Sequence, residues 1–168
     1  MAAPVCLVKN LRDGVMTIKD GTGTPNECEL FLDTGDLQMV VAQQVIPILD
    51  RGKIDGGHLR YGDDVPMKVS FSELFKTFLL KGAITAMPWE ALTQTGGAAA
   101  WVTTTDDNSD VYTTDLEFLI AAVATGLNDE LIVLPSFWHD DITFQEGDPN
   151  TLAASGGVFK ALPTITDS

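Results

Sequence analysis

Residues 82–159 contain no lysine and no arginine, yet twelve aspartates and glutamates fall there. Residues 1–81 hold nine basic and eleven acidic side chains, and the whole 168-residue chain has a formal net charge of -14. A protein that grips nucleic-acid phosphates needs a basic surface, so conventional DNA or RNA binding is excluded. Cysteine is scarce too. Cys6 and Cys28 cannot make a disulfide framework, and Cys6 alternates with Val5 and Leu7 in an apolar run. Both are expected to be reduced thiols in a protein made in the cytosol. Long apolar runs are missing. The longest, Phe118 to Ala124, is far below the roughly 20 residues of a membrane helix, so no membrane anchor is expected. The opening MAAPVCLVKN lacks the charged start and apolar stretch of a signal peptide. No internal repeat and no low-complexity linker appear.

What is present is an ordinary apolar fraction of 45% in a length suited to a single domain, residues 1–168, with a core of its own. Strand-like segments lie between turn signals. Val15 to Lys19 sits between Asp13-Gly14 and Asp20-Gly21, and Glu27 to Leu32 ends at Asp33-Thr34-Gly35. Asp36 to Leu49 is rich in Val and Ile, and Pro47 within it implies an edge, a bulge or a strand end. Residues 50–66, with four glycines, read as a long exposed loop of functional importance. Met67 to Phe71 alternates strictly as a half-buried strand. Ser72 reads as the N-cap of the best helix, with Glu73 in its first turn, Leu74, Phe75, Phe78 and Leu79 on one face and Gly82 ending it. Pro88 to Thr93 suggests a short second helix opened by proline.

Beyond that helix, strands return: Ala99 to Thr104, Val111 to Val123, Leu131 to Leu134, Ile142 to Gln145 and a last one over Val158 to Leu162. In the longest, Tyr112, Thr114, Leu116, Phe118 and Ile120 share one face, and Val111, Thr113, Asp115 and Glu117 the other. Eight or nine strands without a βαβ rhythm predict a mainly β fold: an antiparallel β-sandwich or barrel with one flanking α-helix.

Candidate chemistry is thin. Gly21-Thr22-Gly23-Thr24-Pro25-Asn26 lacks the glycine spacing and following helix of a phosphate loop, so it reads as a turn. His139-Asp140-Asp141 would need a bend to converge on a metal, and His58 lies in the long loop; a solvated turn is expected. Asp115 and Glu117 project from one strand face about 7 Å apart. They would need a nearby cation or histidine for acid–base work, and they read as an acidic sheet face. Trp89, Trp101 and Trp138 have apolar neighbours and read as packing residues. No catalytic residue, cofactor site or metal site is expected.

The order of the segments then resembles one family. L-R-D-G-V-M-T-I-K-D-G-T-G-T-P-N (11–26) looks like the first hairpin of tail tube proteins from long-tailed bacteriophages. So do R-G-K-I-D (51–55) and R-Y-G-D-D-V-P-M-K-V-S-F-S (60–72), with P-W-E-A-L-T (88–93), D-V-Y-T-T-D-L-E-F (110–118) and L-P-S-F-W through D-I-T-F-Q-E-G-D-P-N-T-L (134–152) completing it. The resemblance implies a structural virion protein, not an enzyme. Such subunits form hexameric rings stacked into a tube, around a tape-measure protein and closed by a terminator protein, and the tube later conducts genomic DNA. By analogy, Arg51 to Val65 is the stacking loop, with Arg51, Lys53, Asp55, Arg60, Asp63 and Asp64 in subunit contacts and the terminal arms assisting. Tubes of contractile tails and of type VI secretion look similar, so fold alone does not fix the system.

The charge pattern fits a conduit. An acidic lining lets DNA slide where a basic one would hold it. Acids of the second half, Asp115 and Glu117 foremost, are the expected lumen residues, while basic residues of the first half are expected to pair with neighbouring subunits. The alternatives are a tail-terminator or head–tail connector ring, a capsid decoration protein, a small acidic hydrolase, and a carbohydrate-binding module using the tryptophans.

Overall fold

A computed structural model of the chain describes residues 14–30, 32, 37–74, 86–105, 111–121, 128–159 and 162–167; of Lys53, Asp55 and Asp167 only the backbone is described. The elements are β1 (Gly14–Lys19), β2 (Glu27–Leu30), β3 (Gln38–Val40), β4 (Val45–Asp50), β5 (Lys53–Tyr61), β6 (Met67–Leu74), α1 (Pro88–Thr93), β7 (Thr114–Ile120), β8 (Glu130–Gln145), β9 (Thr151–Val158) and β10 (Thr164–Asp167), with a 3-10 turn at Gly96–Ala98. One antiparallel sheet runs β2-β1-β7-β8-β9-β6-β3, with β10 beside β8, and β4 and β5 form a separate two-stranded ribbon.

The 16-residue β8 joins the two halves of the large sheet. Its first part pairs with β7 on one edge and β10 on the other, and Phe137 to Gln145 pair with β9. Between these parts Ser136 takes a positive φ of 49°. The register slips near Thr114–Leu116 on one side and His139–Asp141 on the other. Such irregularities bend a strand, and both halves then close on one core. Met16, Ile18, Leu116, Phe118 and Leu134 belong to the same buried cluster as Val69, Phe71, Ala154 and Val158. The rings of Phe71 and Phe137 lie 6.1 Å apart. The mainly β fold with a flanking helix is therefore as expected from the sequence.

The period of two explains most strands. In β7, Thr114, Leu116, Phe118 and Ile120 are buried while Asp115 and Glu117 are only half so, matching the predicted faces. In β6 the alternation runs past Phe71: Met67, Val69, Phe71 and Glu73 all point inward. This corrects the helix expected from Ser72. The ladder to β9 extends through Leu74↔Thr151, so Ser72 and Glu73 are strand residues, not a cap and first turn. The remainder of that expected helix lies outside the described residues.

The helix that is described, α1, is the one opened by Pro88. Glu90 is buried and accepts the amides of Met87 (3.0 Å) and Gly97 (3.2 Å). Gln94 ends the helix in the left-handed conformation. At Gly96, also left-handed, a Cβ would overlap the Glu90 carboxyl, so only glycine fits. The helix packs against β1, β2 and β8.

Other expectations are corrected. Ala99 to Thr104 is not a strand: Thr104 N–H does reach Thr113 O at 3.0 Å, but Thr113 N–H donates to the Thr103 hydroxyl at 3.2 Å rather than to a backbone carbonyl, so the ladder does not continue. His139 to Asp141 lie inside β8 at its register slip, not in a solvated turn. The chain's end pairs as β10, while Val158 closes β9. Asp36 to Leu49 divides into β3 and β4.

Candidate assembly interface

Residues 50–61 are not a loop but a turn and a strand, and only residues 62–66 connect β5 to β6 without regular structure. Arg51 (φ 48°) and Gly52 (φ 77°) make a two-residue reversal that sets Asp50 opposite Lys53. Positive φ at both central positions is the hairpin turn whose twist matches that of the strands. The sequence hid it because arginine is an unusual occupant. Pro47 sits opposite Leu59 in a ribbon whose strands are both edges, as its chemistry requires.

Among the described residues, none forms a core beneath this ribbon. Every residue of β4 is exposed, including Val45, Ile46, Ile48 and Leu49. On β5, Ile54, Leu59 and Tyr61 are 87%, 80% and 78% exposed. A strand apolar on both faces ordinarily lies between two layers. That signal was visible in Val45-Ile46-Pro47-Ile48-Leu49, but sequence could not show that no described residue supplies either layer.

At the base of the ribbon is a groove of about 570 Å³, lined by Val41, Tyr61, Val65, Met67, Phe159 and Leu162, with Asp63 and Asp64 on its wall. Gln44 fastens this base: its carbonyl accepts from Gly62 N (2.9 Å) and its Oε1 from Asp63 N (3.1 Å). The expected contact residues are thereby divided. Arg51 is at the apex, Lys53 and Asp55 follow on β5, Arg60 pairs with Ile46, and Asp63 and Asp64 flank the groove. A six-residue strand rising ~3.3 Å per residue puts apex and base about 20 Å apart.

Asp115 and Glu117 share a face as expected, but each already has a partner. Asp115 Oδ1 accepts from Ser136 N at 2.8 Å, holding the bend of β8. Glu117 pairs with Lys19 at 2.7 Å, and Lys19 also meets Glu27 at 3.1 Å. The hydrogen bond to Glu117 raises the Lys19 pKa against the opposing effect of burial. Lys68 contacts Asp140 at 2.7 Å. Each of these lysines links the near-neutral half of this chain to its acidic half.

The remaining candidates are structural. Asp20 is buried, and its carboxylate accepts from Thr22 Oγ1, Asn26 N and Asn26 Nδ2 at 2.8 Å each, and from Val102 N at 3.3 Å. Burial opposes its ionisation, but the Asn26, Thr22 and Val102 donors outweigh it and hold the pKa below the ordinary carboxylate value. This organises the Gly21–Asn26 turn. Trp101 is in the core, Trp89 meets Phe144 edge-on at 5.8 Å, and Trp138 donates Nε1–H to Asp140 at 3.0 Å. His58 is exposed on β5. Cys28 is a buried free thiol pushed up to about 12 by burial, and Cys6 lies outside the described residues. Sequence reasoning missed Glu73, whose inward carboxyl is 2% exposed with Oε1 unbonded. Among the described residues no helix is long and apolar enough to cross a membrane.

No family model and no curated protein sequence matches the chain. Two solved structures share its fold over essentially their full lengths. One is a chain of the sheath–tube complex of an extracellular contractile injection system, PVC, in the extended state: 6% identity, TM-score 0.59, 100% of both chains covered. The other is a chain of the six-fold symmetrised anti-feeding prophage baseplate: 7% identity, TM-score 0.55, 99% of this chain and 98% of that one covered. The chain's fold is thus shared with a chain of a contractile injection system and with a chain of a prophage baseplate.

Proposed function

We propose that this chain is a structural subunit that self-assembles into stacked rings, forming the tube of a phage-tail-like particle. The observation that carries this reading is the β4–β5 ribbon. Val45, Ile46, Ile48, Leu49, Ile54, Leu59 and Tyr61 stand in solvent beside a body whose own core is complete. An isolated two-stranded hairpin is marginal in water, and a contiguous apolar surface of this kind marks a protein–protein contact. The full-length fold likeness to injection-system chains supports the same reading.

In this proposal six copies make a ring, rings stack through the ribbons, and tape-measure and terminator proteins set and close the tube. Its location is the virion or a virion-like particle assembled in the bacterial cytoplasm. Genomic DNA passes a predominantly acidic wall that does not hold it. The face bearing Asp115 and Glu117 is the proposed lumen side, and their role in the fold limits the free charge there. Glu117 is half neutralised by Lys19, and Asp115 keeps one oxygen, Oδ1, on the Ser136 amide. These internal engagements also support a structural rather than catalytic role.

Negative-stain microscopy of the concentrated protein tests the reading. Hollow tubes are the expected result. Closed single rings would instead favour a terminator or connector, and persistent monomers would overturn self-assembly.

A further inference from the structure

We infer that the apex of each β4–β5 ribbon plugs into the groove at the base of the ribbon of another copy. This deepens the self-assembly reading, on which it rests, by naming donor and acceptor. The apex presents Arg51 at the turn and, beside it, Ile54, 87% exposed. The groove offers the complement: an apolar floor including Val65 and Leu162, and the carboxylates of Asp63 and Asp64, all in about 570 Å³. Ile54 fills the apolar floor while Arg51 meets the acids.

The occupant is a second copy because the same chain carries both halves of the match, Arg51 and Ile54 at the apex and Asp63, Asp64 and an apolar floor at the groove, and because length keeps a chain's apex out of its own groove. The ribbon holds its apex about 20 Å from its base, and the hairpin hydrogen bonds prevent it from folding back, so a chain's apex cannot enter its own groove. Plug and groove are different surfaces at opposite ends of one element. Their contact is heterologous, so it leaves a free apex and a free groove after every addition and propagates.

Two variants separate the parts. Ile54→Asp spoils the plug, bringing a carboxylate towards Asp63 and Asp64, and leaves the groove intact. Val65→Lys spoils the groove, opposing Arg51, and leaves the plug intact. Leu162→Lys is the second groove variant should Val65→Lys lower the melting temperature. Light scattering and mass measurement follow assembly of each full-length protein. The expected result is that the parent elongates, each variant alone fails to do so at ten times the parent's threshold concentration, and an equimolar mixture forms mixed pairs of twice the mass of either variant's own particle. Elongation of either variant like the parent, or a mixture that stays at the mass of its components, overturns the plug and groove. A groove variant that fails while Ile54→Asp elongates also overturns it, giving the groove another occupant. If the parent elongates regardless of both substitutions, self-assembly stands and only this contact falls; if the parent itself never associates, both fall.

Discussion

The body and the β4–β5 ribbon are built from the same residue types and treat them in opposite ways. In β1 and β7, Met16, Ile18, Leu116 and Phe118 are fully covered. In the ribbon, Ile46, Ile48, Leu49 and Leu59 face water. The ribbon strands pair only with each other while β1 and β7 are paired on both sides, but side chains stand perpendicular to the hydrogen-bonding direction, so pairing does not account for the difference in burial. What differs is a second layer. The body bends β8 at Ser136 to bring one half-sheet over the other, and no described residue is laid across the ribbon. Apolar residues stabilise a fold only where something covers them, at about 25 cal/mol per Å² of surface removed from water. The ribbon's contribution therefore waits for another molecule.

The contrast can be broken at its strongest point in the body. Phe118→Ala should cost about 3–5 kcal/mol, by lost transfer energy and the cavity left behind. Urea denaturation checks this, and a loss below about 1 kcal/mol would mean that the two half-sheets are not packed on one core.

An intermediate effect comes from Glu73. Burial pushes its pKa up to about 8 from an ordinary 4.5. Burial alone accounts for that shift, and Cys28 on β2 is the neighbouring titratable group that feels the Glu73 charge. The folded state holds this proton more tightly than the unfolded chain does. Its stabilising contribution is thus complete below 4.5, declines as pH rises, and is gone above about 8. Glu73→Gln removes that decline. Relative to the parent it should gain on the order of 1–3 kcal/mol between pH 5 and pH 9, the cost of an uncompensated buried polar group. Melting curves for both proteins across that range decide it, and parallel pH profiles would refute the assignment. Asp20, with its lowered pKa, acts in the opposite sense and only in acid.

The smallest effect is expected in the ribbon. Ile48→Ser should change the stability of the isolated subunit by no more than about 0.5 kcal/mol, as for ordinary surface sites. The same substitution should raise the concentration at which particles form. A loss in the monomer comparable to that of Phe118→Ala would show that the ribbon is covered within its own chain, and the comparison would collapse.

Much of this was legible in residue order. Strict alternation in Met67 to Phe71 and in Thr114 to Ile120 set the strands and their inner faces, because a period of two leaves one solution when one side is buried. Pro88 marked the start of α1 for an equally local reason. The failures were of two kinds. Ser72 and Glu73 carried helix-start chemistry, yet the β6–β9 ladder overrode it. Glycine and charge in residues 50–66 looked like a loop, whereas Arg51 in a left-handed turn closes a hairpin. Of the candidate contact residues, the sequence singled out the charged set from Arg51 to Asp64 but passed over Ile54, Leu59 and Tyr61, since an apolar residue looks the same whether it is to be covered by its own chain or by another.

The amino-acid order by itself determined the acidic balance, the mainly antiparallel β class and the inward-facing residues of the regular strands, because these follow from composition and short-range periodicity. Only the tertiary structure decided that Asp115 secures the bend of β8, that Lys19 and Lys68 pair with acids of the same chain, and that no described residue covers the ribbon. Those outcomes depend on which segments, tens of residues apart, come to lie side by side, and long-range pairing is set by the packing of the whole core rather than by any local run of residues.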